Sequence, residues 1–98
     1  MLFAPKEIDS RETRAAITPS TAKRLVDKGI DVQVEKGIGE LSGYKDQEYL
    51  DAGAQVVNDR LDALSRSEIV FRVRKPSIEE IELTKEGCIV IYHHEQVM

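Results

Sequence analysis

The sequence predicts a single α/β domain with a flavodoxin-like, mainly parallel sheet and helices on both faces. Strand-like and helix-like segments alternate from the first residues to Tyr92. Such alternation is typical of parallel sheets, because a crossover helix must carry the chain back before the next parallel strand begins. A chain of 98 residues, with 41% hydrophobic and 33% charged residues, has the size and composition of one globular domain.

The first helix has the clearest boundaries. Residues 1–4 form a short apolar first strand, and a charged stretch then leads to Thr18, a favourable N-cap, and to Pro19, which suits the first helical position. Ala22 and Leu25 recur at helical spacing, and Gly29 supplies a C-terminal stop. The sequence therefore predicts a helix from Pro19 to about residue 28.

The remaining elements follow from alternation and from turn residues. Ile30, Val32 and Val34 lie on one face of a second strand, and Asp46 is predicted to cap a short helix. The fifth strand is apolar enough to be a central strand that is buried on both faces. The predicted strands are 30–35, 54–57, 68–73 and 88–92, and the predicted helices are 47–52, 59–66 and 78–83.

The residues after the fifth strand leave no room for a helix that could cover it. We therefore expect a fold that is cut short after the fifth strand, or a domain that completes itself by pairing with another chain. The sequence shows no internal repeat, linker or low-complexity segment.

Composition excludes several classes of function. A net charge of −4 and a pI near 5.2 argue against nucleic-acid binding, which needs basic surfaces. No apolar run approaches the ~20 residues of a membrane span. The single cysteine, Cys88, lies in an apolar run and is predicted to be an inert core thiol. These features predict a soluble cytoplasmic domain.

Glycines after the second strand suggest a dinucleotide site but do not fit one. Gly37, Gly39 and Gly43 give a pattern one residue longer than G-x-G-x-x-G. The segment that follows is not a long apolar helix whose N-terminus could hold a pyrophosphate. We therefore predict an ordinary glycine turn, with no cofactor-binding residue in this chain.

Cationic and titratable residues follow three of the predicted strands. Arg14 follows the first strand, Arg74 and Lys75 follow the fourth, and His93 and His94 follow the fifth. A guanidinium can bind a carboxylate bidentately, and a histidine can transfer a proton near neutral pH. The carboxyl ends of parallel strands meet at one edge, where ligands bind in α/β folds. The alternatives are a solvated loop for Arg14, a solvated edge for Arg74 and a frayed tail for the histidines.

Two further features bear on this candidate site. Strand alternation places Arg72 on the same face as Arg74, so Arg72 is a third candidate cation at the end of the fourth strand. Adjacent histidines without a third ligand at zinc spacing do not predict a metal site.

Short motifs along the chain resemble the alanine dehydrogenase and proton-translocating NAD(P) transhydrogenase (alpha subunit) family. Later segments resemble it in order and spacing, and the Lys-Glu-Gly step before the last strand looks closer to transhydrogenase alpha subunits. The opening motif is matched by Pro5, Glu7, Glu12, Arg14, Ala16, Thr18 and Pro19, and later matches include Gly29, Gly37, Gly39, Gly53, Val73, Pro76 and Gly87.

The resemblance implies roles for the candidate residues. In alanine dehydrogenases the arginine matching Arg14 binds the carboxylate of pyruvate, a lysine precedes the proline step, and a later histidine is the acid/base. This chain has Arg74 at the lysine position, with Lys75 one step further. His93 fits a transhydrogenase-like alignment without gaps, whereas the dehydrogenase histidine would need a shift to fall on His94.

The resemblance also implies that residues 1–98 are the N-terminal, non-Rossmann domain, and that a nicotinamide-binding domain is absent from the chain. NAD(H) or NADP(H) would serve the complete enzyme, with none bound by this chain alone. The implied partners are a Rossmann domain or other transhydrogenase subunits and further copies of the chain, with contact to a membrane only through partner subunits.

Three hypotheses about function follow. The first is the N-terminal domain of a transhydrogenase alpha-like oxidoreductase, inactive on its own. The second is the substrate domain of an alanine dehydrogenase-like enzyme that acts on a 2-oxo acid. The third is a non-catalytic binding or assembly module in which the edge of the last strand pairs with a copy of itself.

Overall fold

A computed structural model describes residues 1–7, 14–73 and 78–92 and shows one parallel sheet. The strand order is β3-β2-β1-β4-β5, and every neighbouring pair is parallel. The predicted α/β class with a parallel sheet is therefore confirmed. The strands are β1 Leu2–Ala4, β2 Val32–Glu35, β3 Gln55–Val57, β4 Ile69–Arg72 and β5 Ile89–Tyr92.

The strand order identifies β1 as the middle of the sheet. Without the three-residue β3, the order β2-β1-β4-β5 agrees with a flavodoxin-like sheet, in which the first strand lies between the second and the next one across. The short β3 extends the sheet beyond β2. Sequence order therefore reverses direction at β1, between β2 and β4.

Helices cover both faces of the sheet, as predicted. The helices α1 and α2 contact each other on one face, and α3 and α4 contact each other on the other. A short 3₁₀ helix, Glu40–Ser42, precedes α2. The helices are α1 Pro19–Asp27, α2 Asp46–Asp51, α3 Arg60–Arg66 and α4 Ile78–Leu83.

The core is aliphatic and forms on both sides of β1. Leu2 and Ala4 pack towards α1 and α2, whereas Phe3 packs with Ala63 and Leu64 of α3. All three residues of β1 are buried, as expected for a strand with a helix layer on each face. The two helix layers therefore depend on the same three residues.

The local signals for α1 predicted its boundaries correctly. The Thr18 hydroxyl accepts a hydrogen bond from the Thr21 amide at 3.2 Å, and Pro19 is the first helical residue. The helix ends at Asp27, two residues before Gly29, which has φ of +85°. A left-handed glycine ends the helix without the steric cost that a Cβ would carry.

The short helix α2 begins one residue before the predicted start. Asp46 is its first residue rather than its cap, because the Asp46 carboxylate accepts the Gly37 amide at 2.9 Å. Capping falls to Glu48, whose carboxylate accepts the Lys45 amide at 2.7 Å. The predicted cap therefore serves the preceding turn.

The prediction that the fifth strand is central and buried was wrong. Within the described residues β5 pairs only with β4, and Ile89 is 58% exposed and Ile91 is 44% exposed. The run of apolar residues sets the character of the strand, but its place in the sheet depends on which strands lie beside it. Cys88, predicted to be buried, is partly exposed, and burial still raises the pKa of its thiol.

No helix in the described parts of the chain has both the length and the apolar character needed to cross a bilayer.

Candidate functional site

The carboxyl ends of β1, β4 and β5 lie side by side at one edge of the sheet. Leu2 pairs with Ile69 across β1 and β4, and Arg72 pairs with Tyr92 across β4 and β5. The chain therefore leaves β4 and β5 at adjacent points. Ligands of α/β proteins bind at this edge, near the point where strand order reverses.

Of the five predicted site residues, only Arg14 is within the described part of the chain. It is exposed and precedes the N-cap of α1 by four residues. Arg74, Lys75, His93 and His94 lie outside the described residues. Their convergence with Arg14 at the edge of the sheet stays a prediction, and the adjacent ends of β4 and β5 are compatible with it.

Arg72 is not a candidate ligand group, contrary to the sequence-based prediction, because two carboxylates hold it inside the protein. Its Nε lies 2.8 Å from Oε2 of Glu7, and its Nη1 donates to Oε1 of Glu80. All three side chains are no more than 8% exposed. Arg72, Glu7 and Glu80 are called the ionic cluster below.

The ionic cluster joins three segments that lead into the candidate site. Glu7 follows β1, Arg72 ends β4, and Glu80 lies in α4. Sequence reasoning missed it, although one signal was present. Strand alternation puts Arg72 on the same face as Val70, which is buried, and a buried charge needs charged partners.

A buried tyrosine fixes the backbone between Arg14 and α1. The Tyr49 hydroxyl donates to the Ile17 carbonyl at 2.8 Å, and the side chain is fully buried. Burial, together with negative charge from Tyr44, Glu48 and Asp46, raises the pKa of Tyr49 to about 12. The phenol therefore stays neutral and keeps donating to Ile17 across the physiological range.

A second set of contacts holds the ends of β1 and β2 together. Glu35 Oε1 accepts the Lys6 amide at 2.8 Å and forms an ion pair with Arg60 Nη2 at 2.6 Å. The same Arg60 nitrogen donates to the Lys6 carbonyl at 2.7 Å. Both polar groups of the Lys6 backbone are thus bound by partly buried side chains, so the backbone after β1 is fixed.

The glycine turn after β2 is a packing turn that does not fit a dinucleotide. A Cβ on Gly39 would lie 2.6 Å from Tyr44 Cβ and 3.0 Å from the Tyr49 hydroxyl, so this glycine makes room for two tyrosines. The Gly37 amide, which a phosphate would need, donates to Asp46. The helix that follows has only six residues. These features agree with the prediction of an ordinary turn.

No group of three or more histidine, cysteine, aspartate or glutamate side chains in the described ranges has an arrangement that could hold a metal ion.

Comparison with protein families gives one matching family model. The model described as "Alanine dehydrogenase/PNT, N-terminal domain" matches residues 3–96. An NAD(P) transhydrogenase subunit alpha of Rickettsia prowazekii is 38% identical over 94 residues, which are 92% of this chain and 24% of that protein. Alanine dehydrogenase of Methanococcus maripaludis is 38% identical over 90 residues, again 92% of this chain and 24% of that protein.

Solved structures give the same two kinds of neighbour. A transhydrogenase from Sinorhizobium meliloti matches with a TM-score of 0.83 and 38% identity, over 93% of this chain and 27% of that one. An L-alanine dehydrogenase matches with a TM-score of 0.81 and 36% identity, over 94% of this chain and 26% of that one. The chain thus spans about a quarter of the length of these relatives, and identity does not separate the two branches.

Proposed function

This chain belongs to the family of alanine dehydrogenase and PNT N-terminal domains, and from that membership we propose that it is the N-terminal domain of a transhydrogenase alpha-like oxidoreductase. Its relatives include oxidoreductases of both branches. The complete enzyme would transfer hydride between NAD(H) and NADP(H) in the cytoplasm. Nicotinamide binding would belong to polypeptide beyond this chain, because the glycine turn is filled by tyrosines.

The observation that carries the proposal is the family match over residues 3–96. The sheet supports a site at its carboxyl edge, since β1, β4 and β5 end there side by side. Arg14 would bind an anionic group at this edge, with Arg74 and Lys75 as further cations. His93 or His94 would hold or transfer a proton.

The transhydrogenase branch is favoured by the residue before the proline step. The resemblance to alanine dehydrogenases implies a lysine where this chain has Arg74. An arginine can hold a carboxylate, but its pKa above ~12 makes it a poor proton donor. The rival function is the substrate domain of an alanine dehydrogenase-like enzyme, in which Arg14 would bind the carboxylate of a 2-oxo acid.

Two chimeras distinguish the branches. In one, this chain replaces the matching first quarter of the Rickettsia prowazekii subunit and is assayed with the other subunits of that enzyme for hydride transfer between NADH and an NADP⁺ analogue. In the other, it replaces the matching segment of the Methanococcus maripaludis enzyme and is assayed with pyruvate, ammonium and NADH. We expect activity in the first chimera only.

Variants locate the site within the active chimera. Arg14→Gln should lower turnover by at least about tenfold, the effect of ~1.4 kcal/mol on the barrier. Arg24→Gln removes the same charge from the exposed face of α1 and should leave turnover unchanged. Circular dichroism and gel filtration establish that each chimera is folded. Activity with pyruvate alone would favour the dehydrogenase, and two folded but inactive chimeras would contradict an enzymatic role.

One observation favours the third hypothesis, a binding or assembly module. Ile89, Ile91 and Tyr92 of β5 are 58%, 44% and 38% exposed, and the outer edge of this strand pairs with no other described strand. Such an edge can accept a strand from another polypeptide. It suits the proposed partners, which are a Rossmann domain, other subunits or a second copy of the chain.

A further inference from the structure

A cavity of about 630 Å³ lies at the carboxyl edge of the sheet beside β1, β2 and β3. This volume is in the range of small-molecule sites. The residues that line it follow three different strands: Lys6 comes after β1, Lys36 and Gly37 after β2, and Asn58 after β3. The other lining residues are Glu40, Gly43, Tyr44, Lys45 and Asp46.

The lining is positively charged although the whole chain carries a net charge of −4. Lys6, Lys36 and Lys45 face two carboxylates, those of Glu40 and Asp46. Asp46 is engaged by the Gly37 amide at 2.9 Å, and Glu40 lies 3.6 Å from the Lys6 ammonium. No described residue forms an ion pair with Lys36 or Lys45. Two ammonium groups therefore remain available to an anion.

The backbone that carries these cations is held before any ligand arrives. Glu35 and Arg60 bind both polar groups of the Lys6 backbone, as described above. The Lys36 amide donates to the Val57 carbonyl at 2.8 Å, which extends the pairing of β2 with β3. Because this framework is already ordered, binding costs less conformational entropy and fewer contacts suffice for affinity.

Two neutral side chains shape the rest of the cavity. The Tyr44 ring is half-buried and packs edge-to-face on Tyr49, with ring centroids 6.5 Å apart. The Asn58 amide is exposed at the end of β3 and can both donate and accept hydrogen bonds. The cavity thus offers one flat apolar wall, one amide and a surplus of cations.

We propose that this cavity binds a small oxyanion with two or more negative charges, of the phosphate-ester or dicarboxylate type. Lys36 and Lys45 bind the charged oxygens, the Lys6 ammonium adds to the field, and Tyr44 packs against the body of the ligand. Such a site favours multivalent over monovalent anions, because each additional charge meets a further ammonium group.

This anion site is separate from the candidate site of the proposed function. It lies beside β1, β2 and β3, whereas the candidate site lies beside β1, β4 and β5. Arg14 is not one of the described residues that line it. A binding measurement on the purified chain, without nicotinamide or hydride transfer, therefore tests it independently of the proposed function.

The experiment is a titration of the purified chain with pyrophosphate and, separately, with succinate, at constant ionic strength set by chloride. Amide shifts of Gly37, Tyr44 and Asn58 are followed by NMR. We expect saturable shifts with a Kd of about 1 mM or tighter for at least one of the two anions. The one that binds more tightly identifies the ligand type. The double variant Lys36→Gln/Lys45→Gln should bind about tenfold more weakly.

The control is Lys23→Gln, which removes the same charge from α1, where Lys23 lies 3.4 Å from Asp27. It should bind within about twofold of the original chain. Dispersed amide spectra establish that each variant is folded. Shifts that stay linear to about 10 mM with both anions, or an equal loss of affinity in Lys23→Gln and the double variant, would overturn the proposal.

Discussion

The buried hydroxyl of Tyr49 connects α2 to the backbone just before α1. In Tyr49→Phe the Ile17 carbonyl loses its donor inside the protein, and we expect the free energy of unfolding to fall by about 1–2 kcal/mol at pH 7. The folded-state pKa is raised from 10.0 to about 12. This contribution is therefore complete below pH 10 and is lost as the pH rises towards 12. Urea unfolding measures the free energy, and absorbance titration of the tyrosinates measures the pKa.

Tyr44→Phe is the matched control for this prediction. Tyr44 is half-buried beside Tyr49, and its hydroxyl donates to no described residue. The two variants remove the same atom from adjacent rings, so a difference between them isolates the bond to Ile17. Equal stabilities of the two variants would mean that the hydroxyl of Tyr49 contributes nothing measurable.

The contacts between β4, α4 and the segment after β1 depend on the ionic cluster. Arg72→Met leaves Glu7 and Glu80 buried together without their cation, and we expect a loss of about 3–5 kcal/mol in the free energy of unfolding. Glu80→Gln should cost less, because Arg72 keeps its ion pair with Glu7. Chemical denaturation of the two variants tests both values and their order.

Arg66→Gln serves as the comparison for the ionic cluster. Arg66 pairs with Asp62 at 2.8 Å on the surface of α3, and both side chains are about half exposed. An exposed pair of this kind is worth about 0.2–1 kcal/mol. A loss in Arg72→Met no larger than in Arg66→Gln would contradict the assignment of the ionic cluster as a buried junction.

The elements differ in how far the sequence determines them. Thr18, Pro19 and Gly29 act on their own helix end, so the boundaries of α1 could be predicted from the residues alone. The partners of Arg72 come from Glu7 and Glu80, which only the folded sheet brings together. Asp46 likewise serves Gly37 instead of its own helix, because the turn after β2 folds back onto it.

The same distinction applies to the candidate site. Parallel alternation could predict that the ends of β1, β4 and β5 meet at one edge, since that depends only on topology. It could not predict that Arg72 points into the protein while Arg14 is exposed, because burial depends on the neighbouring helix. The cavity beside β3 was also beyond prediction, since its lining comes from three separate loops.

The molecule as a whole has one unfinished side, at β5. Ile89 pairs with Ile69 and Ile91 pairs with Phe71, so these apolar side chains continue a sheet face that is packed further inward. We expect association at protein concentrations of about 0.1–1 mM. Ile91→Lys should weaken it by placing a charge on the edge strand. Sedimentation velocity over a concentration series measures both effects.

Leu61→Lys is the control for association through β5, because Leu61 is 59% exposed but lies on α3. It introduces the same charge at an equally apolar surface position away from the sheet edge. A chain that stays monomeric over the whole concentration range would contradict the prediction, as would an equal effect of the two lysine substitutions.

The central place of β1 also affects how the protein forms during translation. Leu2 pairs with Val32 on one side and with Ile69 on the other. At about 5–20 residues per second, Ile69 is synthesised roughly 3–13 seconds after Leu2. Throughout that interval a fully apolar strand, buried in the finished fold, has only one neighbour to pair with. The nascent chain therefore exposes an aggregation-prone segment until β4 leaves the ribosome, and a chaperone that binds β1 would protect it for that time.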